Sequence, residues 1–153
     1  MKYSDFRPRL KGNKKIAYDN LNSNERRILV IGDIHAPFEL DGYLDFCKET
    51  YAKYLCNQVI YIGDIIDNHY TSYHETSADG AGGLDELKYA IKAVKKWRKA
   101  FPKADVLIGN HDRMVMRKAQ TSDIPSAWIK SYNEVLGTNW NWVERIVYDN
   151  VQF

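Results

Sequence analysis

The sequence predicts an α/β fold built on a parallel sheet, and three observations predict it. Ile28-Leu29-Val30-Ile31, Val59-Ile60-Tyr61-Ile62 and Val106-Leu107-Ile108 are short apolar runs rich in β-branched residues, the pattern of strands buried on both faces. Each run stops at a glycine followed by a side chain able to bind a metal ion. Segments with apolar residues at three- and four-residue steps lie between the runs. The order strand, helix, strand, helix, strand implies parallel pairing with right-handed crossovers. Such pairing gathers the carboxyl ends of the strands on one edge, where α/β proteins place their sites.

Residues 1–26 read as a basic N-terminal extension. Lys2, Arg7, Arg9, Lys11, Lys14, Lys15 and Arg26 stand there among scattered Asn and Ser without periodicity. This is the composition of a segment that wraps a domain rather than of a phosphate-contacting arm. The domain itself is assigned to residues 27–153. Its first central strand is Arg27 to Ile31; Pro37 keeps the chain extended after the Gly32 turn, and a helix begins near Asp41. Leu44, Cys47, Tyr51 and Tyr54 or Leu55 form the apolar stripe of that helix, which ends near Cys56-Asn57.

Gln58 to Ile62 is the second strand. The following segment, Asp67 to Gly83, has no period but holds His69, Tyr70, Tyr73, His74, Glu75 and Asp79. A long polar loop leaving a central strand is more often functional than filler, and His69 and His74 are read as lining the substrate cleft. Leu84, Leu87, Ile91, Val94 and Trp97 describe a second helix stopped by Pro102, with Lys88, Lys92, Lys95, Lys96 and Lys99 on a solvated face. Asp105 to Ile108 is the third strand. Ser126 to Leu136 reads as a third helix closed by Gly137. Trp140, Trp142 and Val143 lead into a final strand, Val147 to Phe153.

With 153 residues the chain is long enough to bury one core without disulfide or metal staples. A formal charge of +2 is too mild to imply a polyanionic partner by itself. Cys47 and Cys56 have no CxxC spacing and suit small core positions in a reducing compartment, so a cytoplasmic setting is expected. No apolar run approaches the ~18 residues of a membrane span, and no membrane partner is expected.

The three strand ends carry Asp33 and His35, Asp64 and Asp67, and Asn110 and His111. Carboxylate, imidazole and amide donors without thiolate suit Mn, Fe, Zn or Ni. Asp64, on the middle turn, is the candidate to share its two oxygens between two ions. Two cations ~3.5–4 Å apart acidify a shared water and clamp the attacking and leaving oxygens of an in-line displacement, which is phosphoester hydrolysis. His111 is placed to protonate the leaving oxygen or to stabilise charge on the phosphoryl group, and Asp67 to accept from the far nitrogen of His111 and fix its tautomer.

Gly32-Asp33-Ile34-His35, Gly63-Asp64-Ile65-Ile66-Asp67 and Gly109-Asn110-His111-Asp112 together resemble the first three blocks of the calcineurin-like metallophosphoesterases, over residues 28 to 113. The resemblance implies an αββα sandwich with a dinuclear site. Asp33 and His35 would hold the first ion, Asp64 would bridge, Asn110 would hold the second, and His111 would be the catalytic histidine with Asp67 behind it. Manganese is the foremost candidate for both ions.

Two departures shape the expectation. Asn68 stands where the protein phosphatases of the family carry a phosphate-gripping arginine, which argues against a protein phosphatase, with Arg113 as a partial substitute. The basic patches and the resemblance to the family's nuclease branch turn the expected substrate toward nucleic acid or nucleotide. No histidine follows His111, whereas the family completes its shell with later histidines. The chain is thus expected to be the N-terminal part of the sandwich, truncated after the third motif. A second polypeptide would supply the missing histidines, and self-association would cover an open sheet face. The alternative is a catalytically impaired or split fragment that binds metal or nucleic acid.

Overall fold

The computed structural model describes residues 25–71 and 82–153, so the basic segment before Glu25 and part of the loop after Asp67 lie outside the described residues. Four strands, β1 (Ile28–Ile31), β2 (Gln58–Tyr61), β3 (Asp105–Leu107) and β4 (Asn141–Val143), form one sheet in the order β1-β2-β3-β4. Every neighbouring pair is parallel, as the βα alternation requires.

Register decides which side chains share a face. Leu29 lies opposite Val59 and Ile31 opposite Tyr61, while Tyr61 faces Val106, which in turn faces Trp142. The core forms where these residues meet helix α1 (Tyr43–Lys53) and helix α2 (Gly83–Ala100). Trp97 of α2 is its centre, 1% exposed and edge-on to both Tyr43 and Tyr61. Truncating such a residue costs about 3–5 kcal/mol. On the opposite face Ile60 is fully buried, but Val30 is 44% and Ile62 50% exposed.

Helix α2 differs from its expected stripe. Its buried side is Glu86, Ala90, Ala93, Val94 and Trp97, and Leu84 is 67% exposed. Leu87 and Ile91 of the expected stripe are half-buried, so the stripe runs along the border of the buried side. The five lysines of the other face are exposed, as expected of a solvated surface.

Two further expectations are corrected, and one helix stands where no element was expected. Helix α3 (Met114–Thr121) follows the third turn directly; only Met114 and Ala119 of it are buried, which is too sparse a pattern to read as a period. The segment expected as one helix from Ser126 to Leu136 is broken. A 3₁₀ turn at Ser126–Trp128 ends at extended Ile129, and helix α4 (Tyr132–Leu136) starts afresh. Ser131 restarts it with a reciprocal capping box to Glu134, and Gly137 closes it in the left-handed conformation.

The final strand is also divided. β5 (Val147–Tyr148) and β6 (Val151–Gln152) are an antiparallel hairpin around Asp149-Asn150, both at positive φ, the geometry of a two-residue hairpin turn. β4 is instead made by Asn141–Val143, paired to β3. Among the described residues, a parallel four-stranded sheet with four helices in this order fits the metallophosphoesterase-like sandwich. No described helix is long and apolar enough to cross a membrane.

Candidate metal centre

Three turns at the carboxyl edge of the sheet build the site. Asp33, His35, Asp64 and Asn68 all adopt left-handed backbone, with φ of 48°, 48°, 53° and 51°. Each such non-glycine residue costs of order 1 kcal/mol or more, and persists only where its surroundings hold it. Here the turns after β1 and β2 are laced together. The amide of His35 donates to the Asp64 carbonyl at 2.9 Å, that of Ala36 to the Ile65 carbonyl at 2.9 Å, and that of Asp67 to the Ala36 carbonyl at 3.0 Å.

The turns after β2 and β3 are held by Asp112. Its carboxylate, on a residue only 1% exposed, accepts from the amides of Asp64 (2.9 Å), Ile65 (3.1 Å), Ile66 (3.3 Å) and Gly109 (2.9 Å). Burial pushes this carboxyl above its ordinary range, while the amides of Gly109, Ile66 and Asp64 pull against that shift. Sequence reasoning missed Asp112. Its one signal was its place in Gly-Asn-His-Asp, where a solvated turn aspartate looks the same.

Close contact between glycines completes the brace. A Cβ on Gly63, which has φ of 105°, would lie 2.8 Å from Gly109 Cα, so the two turns touch backbone to backbone. The His111 amide then donates to Oδ1 of Asp64 at 2.9 Å. That bond orients the one carboxylate that the sequence assigns to a shared position.

Around it, Nε2 of His35 is 3.7 Å from Oδ1 of Asp33 and 3.9 Å from Oδ2 of Asp64. These three residues each offer a ligand atom within 4.8 Å of the other two. Donors bound about 2.1 Å from one ion sit roughly 3–3.4 Å apart, so small side-chain rotations close the set on a divalent cation. Two carboxylates and an imidazole are also the right chemistry for one. Asp64 is deep, its side chain 13% exposed, whereas that of Asp33 is 75% exposed and stands at the mouth.

A second group joins His35, Asp67 and His111. Here the geometry differs from the expected pairing of the Asp67 carboxylate with His111. Oδ1 of Asp67 is 2.7 Å from Nδ1 of His35 but 3.6 Å from Nδ1 of His111. His111 Nδ1 instead meets the main-chain carbonyl of Asp67 at 2.5 Å. The two imidazoles stand edge to face, 4.6 Å between centroids. Asn68 adds a bond from its side-chain amide to the His111 carbonyl at 3.0 Å.

The remaining expected residues are spread around this core. Asn110 is exposed on the same turn as His111. His69 opens the 3₁₀ turn His69–Thr71 and is half-buried, and His74 lies outside the described residues. The guanidinium of Arg113 is paired with Glu144, and its Nε donates to the Ile108 carbonyl at 3.4 Å.

Among known proteins, the model of the calcineurin-like phosphoesterase family matches residues 26–150. No curated protein matches the chain, and neither does any solved structure.

Proposed function

Because the chain belongs to the calcineurin-like phosphoesterase family, we propose that it hydrolyses phosphomonoesters or phosphodiesters at a dinuclear metal site bridged by Asp64. The observation that carries this reading is the convergence of Asp33, His35 and Asp64, from two different turns, within 4.8 Å of one another. In the proposal Asp33 and His35 hold one ion with Asp64, and Asn110 holds the second with Asp64. Manganese is the preferred metal, with Fe, Zn or Ni as alternatives that the same donors accept. Bound there, the ions supply an acidified water and neutralise phosphoryl charge.

The chain's own residues do the rest. His111 donates from Nδ1 to the Asp67 carbonyl, so in its imidazolium form the second proton sits on Nε2, which would hand it to the leaving oxygen and return to the neutral ring. The amide of His111 keeps Asp64 from rotating away from its shared position. His69, His74 and Arg113 are assigned to substrate binding. Nucleic acid or nucleotide is the preferred substrate class, on the basic patches of the sequence and its resemblance to the family's nuclease branch, while Asn68, at the position of the arginine that protein phosphatases use, argues against a phosphoprotein. No histidine stands between His111 and Phe153, and a second polypeptide is proposed as a source of further imidazole donors. Two free thiols suit a cytoplasmic setting.

The test is Mn²⁺-stimulated hydrolysis of a chromogenic phosphodiester by the purified chain beside Asp64→Asn. Metal-dependent turnover that Asp64→Asn lowers by about 100-fold or more is the expected result. Equal rates for the two proteins would overturn catalysis by this chain and leave a binding module as the reading. Calorimetric titration counts the ions, and a stoichiometry of one would exclude the dinuclear site.

A further inference from the structure

We infer that Asp67 is a positioning residue for His35, which rests on the proposed role of His35 as a metal ligand, and that the oxygens of Asp67 divide two tasks. The carboxylate fixes His35, while the main-chain carbonyl fixes His111.

The distances separate the tasks. Oδ1 of Asp67 is at hydrogen-bond distance from His35 Nδ1, 2.7 Å, and beyond it from His111 Nδ1, 3.6 Å. An ionised carboxylate only accepts, so His35 Nδ1 carries the proton of the neutral ring. Nε2 of the same ring then presents its lone pair toward Asp33 and Asp64, at 3.7 and 3.9 Å. The other tautomer would set the Nδ1 lone pair against the Asp67 carboxylate and spend the ring proton on the position a metal would take. The Asp67 side chain is 17% exposed and that of His35 29%, so water competes weakly for this bond.

His111 is held without that carboxylate. Its Nδ1 meets the Asp67 carbonyl at 2.5 Å, its amide donates to Asp64 Oδ1 at 2.9 Å, and its carbonyl accepts from Asn68 at 3.0 Å. A main-chain carbonyl survives every substitution of its side chain. Changing Asp67 therefore acts on His35 and spares His111; a carboxylate serving His111 would give the reverse.

The experiment is long-range ¹H–¹⁵N correlation NMR of the metal-free, histidine-labelled chain at a pH above the ordinary imidazole range. His35 is assigned with His35→Gln and His111 with His111→Gln. Wild type should show His35 protonated at Nδ1. Asp67→Ala should convert His35 to a tautomer mixture and leave the His111 pattern unchanged. Asp67→Asn, which keeps an acceptor oxygen, should restore the Nδ1–H form of His35 and serves as the folded control. Mn²⁺ affinity, followed by electron paramagnetic resonance, should fall about 10- to 100-fold in Asp67→Ala and recover in Asp67→Asn.

An Asp67→Ala spectrum in which His111 changes, or in which His35 does not, overturns the division. Absence of Mn²⁺ binding in wild type would instead sink the metal reading, and the metal-free spectra would still decide the roles of the two oxygens.

Discussion

A Cβ placed on Gly109 would lie 2.2 Å from Oδ1 of Asp64 and 2.3 Å from its amide nitrogen, so the candidate bridging carboxylate sits in space that only a glycine leaves. Gly109→Ala must therefore push apart the turns after β2 and β3. We expect it to cost about 3 kcal/mol of stability by urea denaturation, the upper end of ordinary overpacking, because the contact is with backbone. Mn²⁺ affinity should fall in parallel. An alanine variant with wild-type midpoint and affinity would show that the two turns are not pressed together.

Asp112→Asn removes the charge on which four amides converge. The asparagine side chain has one acceptor oxygen, and its NH₂ would face amide donors. At least one buried N–H loses its partner, and bonds to a charged acceptor are exchanged for weaker ones, a loss of about 3 kcal/mol. The denaturation midpoint measures it, and amide exchange at Asp64, Ile65 and Ile66 should quicken. A change below about 0.5 kcal/mol would mean that these bonds do not brace the turns.

The hydroxyl of Tyr61 is buried with no hydrogen-bond partner among the described residues, while its ring packs on Trp97 and Trp140. Burial also pushes its phenol far above the ordinary range. Tyr61→Phe keeps the packing and removes the unsatisfied oxygen. The expected result is a stabilisation of about 1 kcal/mol in urea melts. Destabilisation of that size would reveal a hydrogen bond to the hydroxyl.

Burial pushes the Cys47 thiol from 9.0 up to about 11. The folded protein thus holds this proton more tightly than the unfolded chain does. The stabilisation is complete below pH 9 and is lost as pH rises toward 11. Cys56 is raised as well, by burial ahead of the opposing charge of Arg27, and adds the same sign. The urea midpoint should fall across that window, and fall less steeply in Cys47→Ala. Identical slopes would refute the assignment. Thiol alkylation should likewise reach half-buried Cys56 before buried Cys47.

Arg113 is anchored to Glu144 near the surface, their side chains 47% and 64% exposed, so the pair itself is worth about 0–1 kcal/mol. If Arg113 grips substrate, Arg113→Ala raises KM several-fold with little change in the melting midpoint. An unchanged KM would remove Arg113 from the substrate site.

Three of the four strands of the sheet were legible because their signals are local, whereas the fourth was expected at Val147–Phe153 and lies at Asn141–Val143. Apolar runs of strand length, glycine punctuation and helical periods around Cys47 and Trp97 are each decided by neighbours in sequence. Misread segments were those where a short polar device outweighs a period. The Ser131–Glu134 capping box cuts one expected helix in two, and the Asp149-Asn150 turn folds one expected strand into a hairpin. Both devices were visible as residues, but their competition with the apolar pattern was settled by packing.

For the site, the sequence by itself determined which side chains stand at the strand ends: Asp33 and His35, Asp64 and Asp67, Asn110 and His111. A parallel βα order leaves them no other edge of the sheet. Only the tertiary structure decided who meets whom. Asp112 became a buried acceptor for four amides, and the Asp67 carboxylate went to His35 while its carbonyl took His111. Hydrogen bonds discriminate over less than an ångström, between 2.7 and 3.6 Å here, and that separation is set by how three turns pack together.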